Sequence, residues 1–526
     1  MKKKHLGPVL VLLIASSLFL MQLRGEKIQS NSIFVYYNRE RGAVNNKVFG
    51  SNLIGYDPET YEPCPKGYYG YSDYGAGIWD SGLKQSVKEA IDLAKSSGVS
   101  VARFPGGCGT HHYDWKKTIG EDRKHFLYGL DEFLTTCEKI GAEPVITLSY
   151  FTGDERDSAD LVEYLNAPSD QAHKWALLRA KNGHSQPYGV KYFEIGNEVS
   201  HGDHQKIKRV LPEYYAHQYL KYYTKMKAID PSIKIGVVLD SGKWNKEVLR
   251  IIKDNVGFGI IHIYPHPDVN KDKIKEINPK DIFKETLGLS VLEVEVELSQ
   301  ALTLMKEANK DMPLAITEYN AGFAGQEQPV PYRHCLGTAL LNAELLRIFM
   351  KPEHNVLMAN YWQFNNSYWG MISNGFDDNP KDLRNPYFKR PNYYVFEMYH
   401  KHFGDLLLPI DMQCDAYETQ NTKMPYLSVN ASKNAEGKKV YLMVINKNMD
   451  ASMTATIVLK DFMPAVKGNA WVLNGPSVDA TNEKKHDNVK IVHHEFETQG
   501  NSFEFTFEPH SLTAIEIERL DIAGVQ

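Results

Sequence analysis

The chain is poor in cysteine, with five in 526 residues at Cys64, Cys108, Cys137, Cys335 and Cys414. An odd number with no short paired spacing excludes a cysteine-built metal site or a disulfide-dense scaffold. Apart from Lys2, Lys3 and Lys4 there is no basic run, and the formal net charge is -5. Charge therefore excludes nucleic acid as an expected partner. Beyond residue 30 no apolar run approaches the ~20 residues that a membrane-spanning helix needs. No glycine-rich phosphate fingerprint follows the first strand-like run, which argues against a dinucleotide-binding sheet. Internal repeats and low-complexity linkers are also missing. What remains is globular composition, 42% apolar and 24% charged, with length for one large domain and a smaller one. Aromatic residues, at 11%, serve sugar-binding faces and ordinary cores alike and decide nothing.

Residues 1–30 stand apart. Lys2 to Lys4 precede an apolar run from Pro8 to Met21, closed by Arg24, Glu26 and Lys27. This is the pattern of a secretory signal. No small-x-small cleavage site is visible, so an uncleaved N-terminal anchor stays open as the alternative. The expectation is a secreted or periplasmic protein with no other membrane association. Export permits a disulfide. Cys64 and Cys108 fall in loops expected on one face, and their pairing stays open.

After this segment, short apolar runs alternate with amphipathic stretches of helix length. The runs are "KVFGSNLIG", "SVARFPGG", "EPVITLSY", "KYFEIGN", "IKIGVVLD", "GFGIIHIYP", "PLAITEYN" and "VLMANYWQF". Helical patterns between them cover 83–98, 127–142, 212–230, 291–310 and 338–350. Eight buried-looking strands separated by helices predict an α/β fold, a (β/α)8 barrel over 45–404. From residue 405 the pattern becomes short alternating runs such as "KKVYLMVINK" and "SLTAIEIER" with polar turns. That predicts a C-terminal antiparallel β-sandwich over 405–526, with 31–44 as a candidate extra strand.

Barrel enzymes carry their chemistry at the C-terminal ends of the strands. Those ends supply Arg103 and Cys108 from the second strand, and Asn197 and Glu198 from the fourth. The sixth gives His262 and Tyr264, the seventh Glu318, and the eighth Trp362 and Gln363. Each has a structural alternative: a solvated acid, an ion-pair partner, a satisfied buried histidine, rim packing. Their convergence on one face favours a site. Two carboxylates from strands four and seven of a small barrel can approach to about 5–5.5 Å, the separation of retaining glycosidases.

"RFPGG…YDW", "IGNE", "HIYP", "TEYN" and "ANYWQ", in this order, resemble the retaining glycoside hydrolases of clan A. The chain resembles family 51, the α-L-arabinofuranosidases, more closely, over most of residues 45–520. The resemblance implies Glu198 as general acid/base and Glu318 as nucleophile. It implies that Asn197 bonds the sugar hydroxyl beside the reacting carbon. Arg103 would keep Glu318 ionised, Tyr264 would orient it, and His262 would help set the acid/base. Gln363 would contact the sugar. No metal or organic cofactor is implied, and the substrate would be a poly- or oligosaccharide. The acid is expected to be partly buried with no cation beside it, to hold its proton near neutral pH.

Two departures concern the terminal-sugar pocket. The family usually carries a glutamate just after the first strand, and "FGSNLIGYD" (49–57) has none. Its arginine motif usually continues "PGGN", where this chain has Cys108. Specificity is therefore open between an arabinofuranosidase and a related clan A hydrolase: endo-β-glucanase, xylosidase-like or glucuronidase-like. A non-catalytic carbohydrate-binding protein is the third reading, and the two glutamates argue against it. The aromatic loop "GYYGYSDYGAGIWD" (67–80) is a candidate substrate platform.

Overall fold

The computed structural model describes residues 31–53, 73–123, 126–203, 207, 209–267, 276–308, 312–322, 332–366, 368–375, 385–419 and 422–520. Residues 1–30 and Cys64 lie outside the described residues, as does the first part of the aromatic loop.

Eight parallel strands close a barrel in chain order. They are β1 (Gly50–Asn52), β2 (Val101–Phe104), β3 (Glu143–Leu148), β4 (Tyr192–Ile195), β5 (Lys234–Val238), β6 (Phe258–Ile263), β7 (Leu314–Tyr319) and β8 (Val356–Tyr361). Buried parallel strands see helices on one side and the barrel interior on the other, so they read as nearly continuous apolar runs. Val101, Val145, Tyr192, Phe258, Ile260, Ala315 and Met358 pack together as an apolar layer. The seam is closed by the shortest strand, where Asn360 pairs with Gly50 and Ser51 with Ala102. A Cβ on Gly50 would stand 2.6 Å from the Ala359 carbonyl oxygen, so the seam requires glycine there.

The five expected helices form, as Lys88–Ser96, Leu130–Ile140, Pro212–Ile229, Val291–Glu307 and Leu336–Phe349. Pro212 starts its helix where a missing N–H costs nothing. Gly141 ends another in the left-handed conformation. Helices Glu155–Asn166 and Gly242–Ile252 complete the ring between strands. Asp154 caps the first of these, its carboxylate accepting from Arg156 and Asp157 N–H.

The second domain packs a seven-stranded sheet against a four-stranded one. Residues 31–44 contribute strands to both. Gly42–Ala43 lies at the edge of the larger sheet, and Ser32–Tyr36 lies inside the smaller one. Ser32–Tyr36 runs parallel to Met453–Lys460, so the sandwich is antiparallel except at this pair. A strand contributed from before the barrel has no hairpin to dictate its direction.

A buried ion cluster ties the domains together. Glu344, on the helix before β8, takes a 2.7 Å hydrogen bond from Arg347 and lies 3.4 Å from Lys447 of the sandwich. Burial opposes the charge on Glu344, but Arg347 and Lys447 outweigh it and push its pKa down to about 2. Glu344→Ala leaves the buried Lys447 without its acid, while Arg347 keeps Glu295 at 3.5 Å, and is expected to cost about 3–5 kcal/mol in urea unfolding at neutral pH. A depressed carboxylate stabilises above its unfolded pKa of about 4.3. The difference between wild type and variant should therefore shrink as pH falls from there toward about 2.

Candidate active site

The site is built around Arg103, which β2 places inside the barrel with no solvent exposure. Its guanidinium uses its donors on four neighbours. Nε donates to Glu194 Oε2 at 2.7 Å, and Nη1 to Glu318 Oε1 at 2.9 Å and to Asn52 Oδ1 at 3.1 Å. Nη2 donates to Asn197 Oδ1 at 2.8 Å. Burial alone would lower the pKa of Arg103, but Glu194 and Glu318 raise it above its usual value. The cation is permanent.

Glu318, on β7, accepts at its second oxygen from the Tyr264 hydroxyl at 2.7 Å. Burial, and then the charge of Glu318, push the Tyr264 pKa well up, so the phenol keeps its proton and donates. Glu198 follows β4 in a left-handed backbone conformation (φ 42°), a strained position for a residue with a Cβ. Gly196, two residues earlier, has φ 80°, and a Cβ there would meet Val199 at 2.5 Å. This tight turn aims the Glu198 carboxylate back over the barrel.

His262 Nδ1 lies 2.8 Å from Glu198 Oε1, and Nε2 lies 3.1 Å from the Thr317 hydroxyl. His201 Nδ1 stands 3.7 Å from the other oxygen of Glu198. Glu198, His262 and Glu318 each offer an atom within 4.8 Å of the others, so the two carboxylates face one another across a short gap. This set has the spacing to accept a metal ion. The Arg103 charge and the Tyr264 proton, both directed at Glu318, work against a cation there. A cleft of about 190 Å³ opens beside Glu198, His201, His262 and Tyr264.

The expectation of an acid without a neighbouring cation is overturned. Burial would raise the pKa of Glu198, but hydrogen bonds from His201 and His262 hold it well below the usual carboxylate range. Burial would lower that of His262, but Glu318 and Glu198 raise it. The physical reason is proximity: an imidazole with two oxygen acceptors around it holds its proton, and the carboxylate beside it gives one up.

The remaining expected residues gather nearby. Cys108 is half-buried, its sulfur accepting from Asn197 Nδ2 at 3.8 Å, and it forms no disulfide among the described residues, which do not include Cys64. Burial, Glu198 and Glu318 push its pKa well up, so it is a neutral thiol and not a nucleophile. Trp362 packs with Ala76, Tyr264 and Trp369 in one apolar wall, which brings the described part of the aromatic loop into the site. Gln363 follows it, buried, at the end of β8. Sequence reasoning missed Glu194, Asn52 and His201, and it placed Thr317 at the end of the seventh strand without a role. Glu194 had a signal: it lies two residues after inward-facing Tyr192, so the period of two points its charge into the barrel.

The comparisons with known proteins bear on this geometry. Residues 93–278 match the family model described as the alpha-L-arabinofuranosidase 1 domain, and 317–511 match the alpha-L-arabinofuranosidase C-terminal domain. The chain belongs to glycoside hydrolase family 51. This family 51 enzyme is 29% identical over 406 residues to an intracellular exo-alpha-L-arabinofuranosidase of Bacteroides ovatus, covering 72% of this chain and 76% of that one. It is 24% identical over 488 residues to a probable alpha-L-arabinofuranosidase C of Aspergillus niger, covering 85% and 91%. Among solved structures, the alpha-L-arabinofuranosidase of Thermotoga maritima in its arabinose complex has the same fold, with a TM-score of 0.78 at 24% identity, over 93% of this chain and all of that one. The family 51 enzyme of Thermotoga petrophila gives 0.77 at 24% identity, with the same coverage.

Arg103→Lys keeps the charge of this glycoside hydrolase but loses the planar fork that serves four acceptors. A loss of at least ~10²-fold in kcat/KM on an aryl glycoside is expected. His262→Gln tests the imidazole–carboxylate pair through stability. A raised histidine stabilises below its unfolded pKa of about 6.5, and a depressed carboxylate above about 4.3. The gap in unfolding free energy between wild type and variant should be widest between those values. It should narrow as pH rises past the first or falls past the second.

Proposed function

We propose that this family 51 enzyme hydrolyses terminal α-L-arabinofuranosyl linkages by double displacement, with Glu318 as nucleophile and Glu198 as acid/base. The observation that carries the reading is the pair of facing carboxylates in unlike surroundings. Glu318 is held by Arg103 and Tyr264, and Glu198 by His262 and His201. Carboxylate oxygens within 4.8 Å of one another leave no room for a water between carboxylate and sugar, which favours retention over inversion.

In the first step a Glu318 oxygen attacks the anomeric carbon and the bond to the leaving oxygen breaks. That oxygen takes a proton from Glu198. The Glu198–His262 pair shares one proton through the neutral range, since the histidine is shifted up and the carboxylate down. Binding of a sugar displaces water from the cleft, which weakens charge separation and moves that proton to the carboxylate. Once Glu318 is an ester, one negative charge beside the pair has gone. Glu198 then takes a proton from the incoming water, which attacks the anomeric carbon and releases Glu318. Asn197 has its Oδ1 committed to Arg103 and one N–H directed at the Cys108 sulfur, so its second N–H is left to donate to the neighbouring sugar hydroxyl. Gln363 and the Trp362 wall bound the sugar pocket.

Cys108, and a sequence without the usual glutamate after β1, favour a second reading in which the same machinery accepts a different glycone. A p-nitrophenyl glycoside panel decides between them by which sugar gives the highest kcat/KM. The apolar run Pro8–Met21 supports export of this enzyme; cell fractionation with an antibody to the sandwich checks it.

Glu318→Ala is expected to lower kcat by at least ~10⁴-fold on every substrate, because no other group supplies the nucleophile. Glu198→Ala should slow natural oligosaccharides by ~10²–10⁴-fold and aryl glycosides with good leaving groups far less. Equal losses on both substrates would reverse the role assignment. NMR of the first-formed sugar should record retained configuration at the anomeric carbon.

A further inference from the structure

A second concavity, a groove of about 530 Å³, lies at the same end of the barrel. Tyr150, Phe151, Ile207, Leu211, Tyr214 and Tyr222 line it. Ile207 is 41% exposed, Leu211 63% and Tyr214 58%. Exposed apolar side chains are ordinary when scattered, and clustered around a cavity of this size they mark a binding surface. The lining is also fixed in place. Tyr222 donates its hydroxyl to the Gly153 carbonyl oxygen at 2.8 Å, and Phe151 meets Tyr150 edge to face at 5.0 Å.

We propose that this groove holds the leaving-group part of the glycan, the sugars beyond the bond that is cut. The proposal rests on the assignment of Glu198 as acid. Position argues for it. Tyr150 follows β3, and the Gly196 N–H donates to the Leu148 carbonyl oxygen at the end of that strand. Gly196 also lines the catalytic cleft, and a Cβ on it would stand 3.0 Å from Tyr150, so groove and cleft share a wall. The leaving oxygen must depart on the side of the group that protonates it. Glu198 leaves β4, beside β3, whereas Glu318 stands on β7, three strands further round. The groove is on the acid's side. Its chemistry suits a saccharide: aromatic faces stack against the C–H faces of sugar rings, and phenol hydroxyls meet sugar hydroxyls.

The test compares wild type with the double variant Leu211→Ser, Tyr214→Ala, both positions being exposed and remote from the core. Two substrates are used, p-nitrophenyl α-L-arabinofuranoside and α-1,5-linked arabinotetraose. The aryl glycoside puts one ring beside the acid and no sugar further along the groove, so its kcat and KM should change far less than those of the tetraose. Arabinotetraose should show a KM raised about tenfold with kcat nearly constant, the mark of lost binding rather than lost chemistry. Equal changes on both substrates, or none on either, would overturn the proposal. So would wild-type protein that cleaves the aryl glycoside and not the tetraose. Wild-type protein inert toward every glycoside would instead remove the hydrolase reading on which the groove depends.

Discussion

The fully buried guanidinium of Arg103 is the constraint around which the site is arranged. An arginine taken from water costs several kcal/mol unless its donors and its charge are answered. Here β1 answers with Asn52, β4 with Glu194, the turn after β4 with Asn197, and β7 with Glu318. One planar group thus fixes the relative height of three other strands inside the barrel. It also explains why Glu194 is present. Without it, a full positive charge would face Glu318 alone. Thr147 adds a 3.0 Å hydrogen bond to the same Glu194 oxygen and holds the compensating charge in place.

The two facing glutamates show how surroundings divide labour between identical side chains. One sees a permanent cation and a phenol that keeps its proton. The other sees imidazoles whose protons can be exchanged. An acid in an apolar pocket is one way to store a proton near neutrality, and a carboxylate coupled to a histidine is another. Here the carboxylate is coupled to a histidine, and the acid role proposed for Glu198 would draw on His262 for its proton.

The fold was legible because both domains announce themselves by period. The barrel strands are apolar on both faces, and the sandwich strands alternate. The shortest strand was the least legible: "KVFGSNLIG" contributes only Gly50–Asn52 to the sheet, since a 3-10 turn at Asn46–Phe49 takes the residues before it. Helix Glu155–Asn166 escaped notice because its first turn, Glu155–Ser158, is wholly polar and its apolar residues begin only at Ala159, although Asp154 was a readable cap. In the site, strand-end residues were found because barrel topology says where to look. Glu194 lies inside its strand rather than at its end, and Asn52 stands on a three-residue strand, too short for its alternation to show which side chain points inward. His201 sits on a 3-10 turn whose direction depends on the left-handed backbone at Glu198, which no local pattern encodes. The absence of a cation near Glu198 was inferred from chemical need, and the spatial neighbours of one strand end do not follow from need.

The strand Ser32–Tyr36 threads between Ile410–Gln413 and Met453–Lys460, so a segment from before the barrel is walled in by segments made after it. A chain emerging from the ribosome reaches its barrel long before those partners exist. The strand Ser32–Tyr36 must therefore wait, tethered and unpaired, until the last quarter of the polypeptide is made. Assembly of the smaller sheet is consequently a closing event, one that locks head to tail across the finished barrel, and a truncated translation product would carry a bare strand in search of a neighbour.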